Sequence, residues 1–229
     1  MRAQAWRRWA ASIVSVSLAL FVPACSADRR PNPTIIETTI LETTTRPSAP
    51  PTTAPAPPAP VVIAYRLERR TTDDPTADFE ATVEATLTDG RGWSRAGFVF
   101  EPREDGPYLV VLAEGDEVDR RCRPYDTYGK YSCQNGPTVA LNADRWRVAT
   151  PEWTGELDDY RRMLVNHEVG HLLGMHHPKP QCPAPGRPAP VMSQQSTELD
   201  GCLANPWPLD GEIAIAARHD APLAPGPGG

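Results

Sequence analysis

Residues 167–177 read His-Glu-Val-Gly-His-Leu-Leu-Gly-Met-His-His, and no other stretch of the 229-residue chain restricts its fold as tightly. The spacing is H-E-x-x-H-x-x-G-x-x-H, and four of the five histidines of the chain lie in it. Residues four apart on a helix share a face, so the pattern predicts a helix on which His167 and His171 reach one metal ion. Glu168 is angled off that face, where a carboxylate can serve as general base for a water activated by the ion. Gly174 can take the positive φ that ends a helix and turns the chain. The turn lets His177 come back as a third ligand, which a continued helix would forbid. His176 is one residue short of that spacing, and it is assigned with Arg161, Arg162 and His219 to solvent or packing.

Three protein ligands with one open position is the pattern of a single catalytic zinc ion rather than a structural one. Two histidines on a helix can also be an ordinary satisfied pair in a core. The extended spacing argues against that reading. A metal-binding but inactive site is a second alternative, and the intact Glu168 argues against it.

The extended motif resembles that of the metzincin zinc metallopeptidases. Their pattern continues with a tight turn that places a methionine beneath the metal. Pro190-Val191-Met192-Ser193-Gln194 is the matching stretch, which implies Met192 as that methionine. A tyrosine two residues past the methionine joins the site in some relatives, and Gln194 stands there instead. Residues 167–177 and 182–195, with Asn205-Pro206-Trp207-Pro208, are also similar to a family of secreted actinobacterial proteins filed as a domain of unknown function. That resemblance covers about residues 61–219 and implies fold and location, but no substrate.

The N-terminus reads as an export signal over residues 1–24. Arg2, Arg7 and Arg8 precede an apolar run at residues 10–22 that is too short for a lasting membrane span. Val22-Pro23-Ala24-Cys25 is similar to a bacterial lipobox, with Cys25 as the lipidated residue; ordinary cleavage after Ala24 is the alternative. Setting Cys25 aside leaves Cys122, Cys133, Cys182 and Cys202, an even set suited to an oxidising compartment. Three pairings are open, and proximity in sequence favours Cys122 with Cys133 and Cys182 with Cys202. The expected location is the cell envelope, lipid-anchored on the outer face of the membrane or secreted. The net charge of −6 disfavours nucleic acid as a partner, and membrane contact is expected only through a lipid anchor.

Residues 25–60 form a Thr/Pro-rich tract that cannot bury enough apolar surface to fold and is expected to act as a tether. Residues 220–229 read as a disordered tail. One domain of the α/β (α+β) class lies between, over residues 61–219. Strands are expected at 61–67, 97–101, 108–113 and 138–142, and helices at 75–87, 155–173 and 209–217. Residues 131–134 are either an edge strand that could pair with an extended peptide or part of a plain hairpin at Asn135-Gly136. Together with the resemblance, this order implies a metzincin-like zincin domain: a small twisted mixed sheet, an active-site helix, a Met-turn and a C-terminal helix.

The expected function is a secreted or lipid-anchored zinc metalloendopeptidase. His167, His171 and His177 bind the ion, Glu168 is the general base, and Met192 and Gly174 support the site. Its expected partner is a peptide or protein substrate, with a cell-wall peptide as a variant. One rival keeps the enzyme but makes it an amidase or peptidase acting on peptidoglycan stem peptides. The other is a non-catalytic envelope interaction module whose zinc is structural.

Overall fold

The computed structural model describes residues 59–218. The export signal, Cys25, most of the Thr/Pro-rich tract, His219 and the tail lie outside the described residues. Five strands form one mixed sheet: β1 (Val61–Arg69), β2 (Phe98–Pro102), β3 (Tyr108–Ala113), β4 (Cys133–Asn135) and β5 (Thr138–Asn142). Their spatial order is β2-β1-β3-β5-β4. Every pair is parallel except β4 with β5, so β4 is an antiparallel edge joined to β5 by a short hairpin. Gly136 takes a φ of 55° in that hairpin, a conformation glycine adopts without a Cβ clash. The expected edge strand at 131–134 is found at Cys133–Asn135 and is itself one arm of the hairpin at Asn135-Gly136.

The continuous apolar run at β3 is explained by burial on both faces. Val110 and Leu112 enter the main core with α1 (Phe79–Thr88) and α4 (Leu157–Leu172). Leu109, Val111 and Ala113 enter a smaller cluster with Val118 and Cys122 of α2 (Gly115–Cys122). β1 behaves otherwise: Ile63 and Tyr65 are buried while Val62 is exposed, the alternation of a strand covered on one face.

Several boundaries differ from the sequence expectations: the strands expected at 61–67 and 97–101 are Val61–Arg69 and Phe98–Pro102, and each expected helix is altered. The helix expected over residues 75–87 is split into a 3₁₀ turn, Asp74–Thr76, and α1. Thr76 Oγ1 donates to the Asp73 carbonyl and accepts from Thr71, which draws the chain into that turn before the helix begins. The histidine helix starts at Leu157 rather than residue 155, because the Trp153 indole lies over Gly155 and donates to the Glu156 carbonyl at 3.0 Å. The last helix, α5, is Asp210–Ala216.

Two short helices were not anticipated, α2 and α3 (Ala143–Val148). α2 is held by charge: acids in its first turn, arginines in its last, and Asp116–Arg120 and Glu117–Arg121 pairs one turn apart. α3 begins where the Asn142 side chain caps the N–H groups of Asp144 and Arg145. Two disulfides, Cys122–Cys133 and Cys182–Cys202, close the favoured pairing. They point to an oxidising environment. Among the described residues no helix is long and apolar enough to cross a membrane.

Candidate metal centre

α4 carries His167, Glu168 and His171 on its last turns, and its end is set by Gly174. Gly174 takes a φ of 82°. The Met175 N–H reaches back to the Gly170 carbonyl and the Gly174 N–H to the His171 carbonyl, both at 2.9 Å. These are the two bonds of a Schellman motif, which reverses the chain at once and leads it to His177.

The three imidazoles then converge. Their Nε2 atoms lie 3.3 Å (His167–His171), 3.1 Å (His171–His177) and 3.2 Å (His167–His177) apart. Two of the rings have their other nitrogen committed: His167 Nδ1 lies 2.8 Å from the Val191 carbonyl oxygen and His171 Nδ1 lies 2.9 Å from that of Met175. A carbonyl can only accept, so each Nδ1 carries the proton and each Nε2 presents a lone pair. Burial keeps the rings neutral: it drives His167 well below its usual range, His171 to about 4, and His177 down as well.

Lone pairs at this spacing repel unless a cation stands between them. Tetrahedral ligands at about 2.05 Å from one ion would lie about 3.3 Å apart, close to the spacing found. The donor set therefore fits a metal ion, and among the described residues it is the group of histidine, cysteine and acidic side chains gathered closely enough to hold one. Neutral imidazole suits zinc, copper, iron and nickel alike, so the donors alone do not choose the element.

Glu168 is buried next to His167, and burial pushes its carboxyl up to about 8. A cleft of about 270 Å³ opens in front of the three histidines and Glu168, bounded by residues 125–134 on one side and 194–197 on the other. Tyr131, Cys133 and Gln134, on or beside β4, line it. His176 is exposed and outside the triad, as the spacing required, and Arg161 is buried in ion pairs with Asp78 and Asp158.

Met192 sits in a tight turn closed by the Ser193 N–H on the Pro190 carbonyl at 3.0 Å. The turn lies directly beneath α4: a Cβ placed on Gly170 would stand 2.3 Å from the Met192 sulfur and 2.9 Å from the Trp93 ring. Only a glycine lets helix, methionine and indole meet this closely. The Cys182–Cys202 bridge closes the segment that contains the turn.

Several supporting residues escaped the sequence reading. Glu212, buried on α5, accepts the N–H groups of Val191 (3.0 Å), Met192 (2.8 Å) and Leu209 (2.8 Å). Burial raises its carboxyl while these three donors pull it the other way. Trp93 donates to the Asn166 carbonyl at 2.9 Å. Asn205 binds the carbonyls of Ala189 and Trp207, and its N–H is taken by Gln195. A glutamate at the third position of a helix was the available signal for Glu212, but it marks any helix start equally well.

A family described as "Protein of unknown function (DUF3152)" matches residues 62–217. No curated protein matches the chain.

Proposed function

We propose that this chain, which belongs to the DUF3152 family, is a zinc-dependent metalloendopeptidase of metzincin type. The observation that carries the reading is the triangle of three Nε2 atoms, 3.1–3.3 Å on a side, with the buried Glu168 carboxyl group beside it and an open cleft in front. His167, His171 and His177 would hold the ion. Zinc bound there supplies Lewis acidity to a peptide carbonyl and to the attacking water.

The remaining steps belong to the chain. The Val191 and Met175 carbonyls fix two rings in the tautomer that presents Nε2. Glu168, ionised once the charge of a cation at the histidines offsets its burial, would take a proton from the attacking water and deliver it to the leaving amine. The cleft is lined by Cys133 and Gln134 of the edge strand β4, which suits pairing with an extended peptide.

An open centre also favours catalysis over a structural role. Among the described residues three candidate ligands gather, and a closed structural site needs four. The disulfides agree with work outside the cytosol, and an envelope substrate such as a stem peptide remains within this proposal. The test is cleavage of an unfolded protein and of purified cell wall by the zinc-loaded full chain beside Glu168→Ala. Chelator-sensitive cleavage by the wild type, reduced at least about 1000-fold in Glu168→Ala, supports the reading. Equal cleavage by both proteins would remove it.

A further inference from the structure

The cleft contains a cation without a counter-ion. Arg145, on α3, lines it together with Met163, Leu164, Glu168 and Ser196. One bond anchors the guanidinium: Nη1 donates to the Ala149 carbonyl at 2.9 Å. Its Nε is shielded from solvent and has no acceptor. Among the described residues no carboxylate comes within ion-pair distance of Arg145. Its near neighbours differ: Arg147 pairs with Asp73, Glu114 and Asp144, and Arg161 with Asp78 and Asp158. Asp126, another acid of the cleft wall, is occupied by the Tyr128 N–H at 2.9 Å.

A guanidinium keeps its charge at any working pH and presents a planar fork that matches a carboxylate. Arg145 lines the same cleft as His167, Glu168, His171 and His177.

We propose that Arg145 is a specificity determinant that receives a carboxylate of the peptide substrate, carried either by an acidic side chain or by the peptide C-terminus. An open position for an anion, a fixed fork and a missing partner are what such a subsite requires. The proposal deepens the peptidase reading and rests on it for the word substrate.

The test reads binding rather than turnover. The full chain is stripped of metal, so that a carboxylate cannot bind an ion at the histidines, and titrated with fluorescent pentapeptides. One is neutral and amidated, one set is amidated with a single glutamate moved through the positions, and one is neutral with a free C-terminus. The wild type is expected to bind at least one carboxylate peptide about tenfold tighter than the neutral one. The better peptide identifies the source of the carboxylate. The preference should fall to within about twofold in Arg145→Gln and survive in part in Arg145→Lys, with affinity for the neutral peptide unchanged. Equal affinity of the wild type for all peptides overturns the proposal, even if Arg145→Gln does not fold, and so does a preference that persists in Arg145→Gln. A chain that binds with this preference but cleaves nothing when zinc is restored would defeat the peptidase reading alone.

Discussion

The Glu212 carboxylate accepts the Met192 N–H at 2.8 Å, and this bond fixes the turn beneath the histidine helix from the far end of the domain. The same carboxylate takes the Val191 N–H, and the Val191 carbonyl takes His167 Nδ1. Three contacts thus connect α5 to an imidazole of the candidate metal centre. Glu212→Gln keeps the shape but offers one oxygen where three N–H groups need acceptors. It is expected to cost about 1–3 kcal/mol in denaturant unfolding. Metal affinity in a competition titration should weaken about tenfold. Lost stability with unchanged metal affinity would show that the turn does not position the ring.

Gly170→Ala tests the contact beneath the helix. Alanine is favoured over glycine in a helix by about 1 kcal/mol. Its methyl would meet the Met192 sulfur at 2.3 Å and the Trp93 ring at 2.9 Å, so one of them must move. Overpacking of this kind costs about 1–3 kcal/mol and should outweigh the propensity gain. A fall in Tm of several degrees is expected, and a rise in Tm would mean that the floor is looser than the contact distances imply.

The parts of this molecule that were legible in its sequence are those built from local spacing. β3 and β5 occupy the expected residues, because a continuous apolar run bounded by polar residues has one economical home. His167, His171, Gly174 and His177 follow from the helical period and one glycine turn. The turn at Met192 was legible through its resemblance and its neighbouring proline. α2 and α3 were not legible: α2 offers Val118 and Cys122 as its buried residues, and α3 is only six residues long. Glu212 and Trp93 act through long-range contacts, whose partners spacing along the chain does not name, and Arg145 meets the histidines only in the folded cleft.

Removal of metal should destabilise the fold. Without a cation the three Nε2 atoms crowd together at 3.1–3.3 Å, with the lone pairs of His167 and His171 facing each other. Zinc at about 1000 times its Kd would add about 4 kcal/mol to the folded state. Chelation should lower Tm by about 10 °C in a thermal scan, and added zinc should restore it. His177→Ala should reduce most of that zinc-dependent shift, and an unchanged shift would exclude His177 as a ligand.

Acid should weaken the domain through its surface pairs. A hydrogen bond from Arg147 holds Asp73 down to about 2, and one from Arg91 holds Asp89 down to about 2. Both folded values lie below the ordinary value of 3.8, so the unfolded chain takes up the proton first. Their stabilisation is complete above about pH 4 and drains away as pH falls toward 2. Both carboxylates are partly open to solvent, so salt should flatten the dependence. Metal-free protein should show a Tm that drops between about pH 4 and pH 2, less steeply at about 1 M salt. Asp73→Asn should remove part of the drop, and an identical pH profile in that variant would deny the Arg147 pair its role.

X-ray absorption at the zinc edge of the full chain loaded with one equivalent of zinc decides whether the three histidines form an open centre. Three imidazole nitrogens at about 2.0–2.1 Å are expected, with one further light ligand that exchanges with added small anions. Four protein ligands with no exchangeable position would contradict it, as would zinc that scatters like a hydrated ion and is removed by a desalting column.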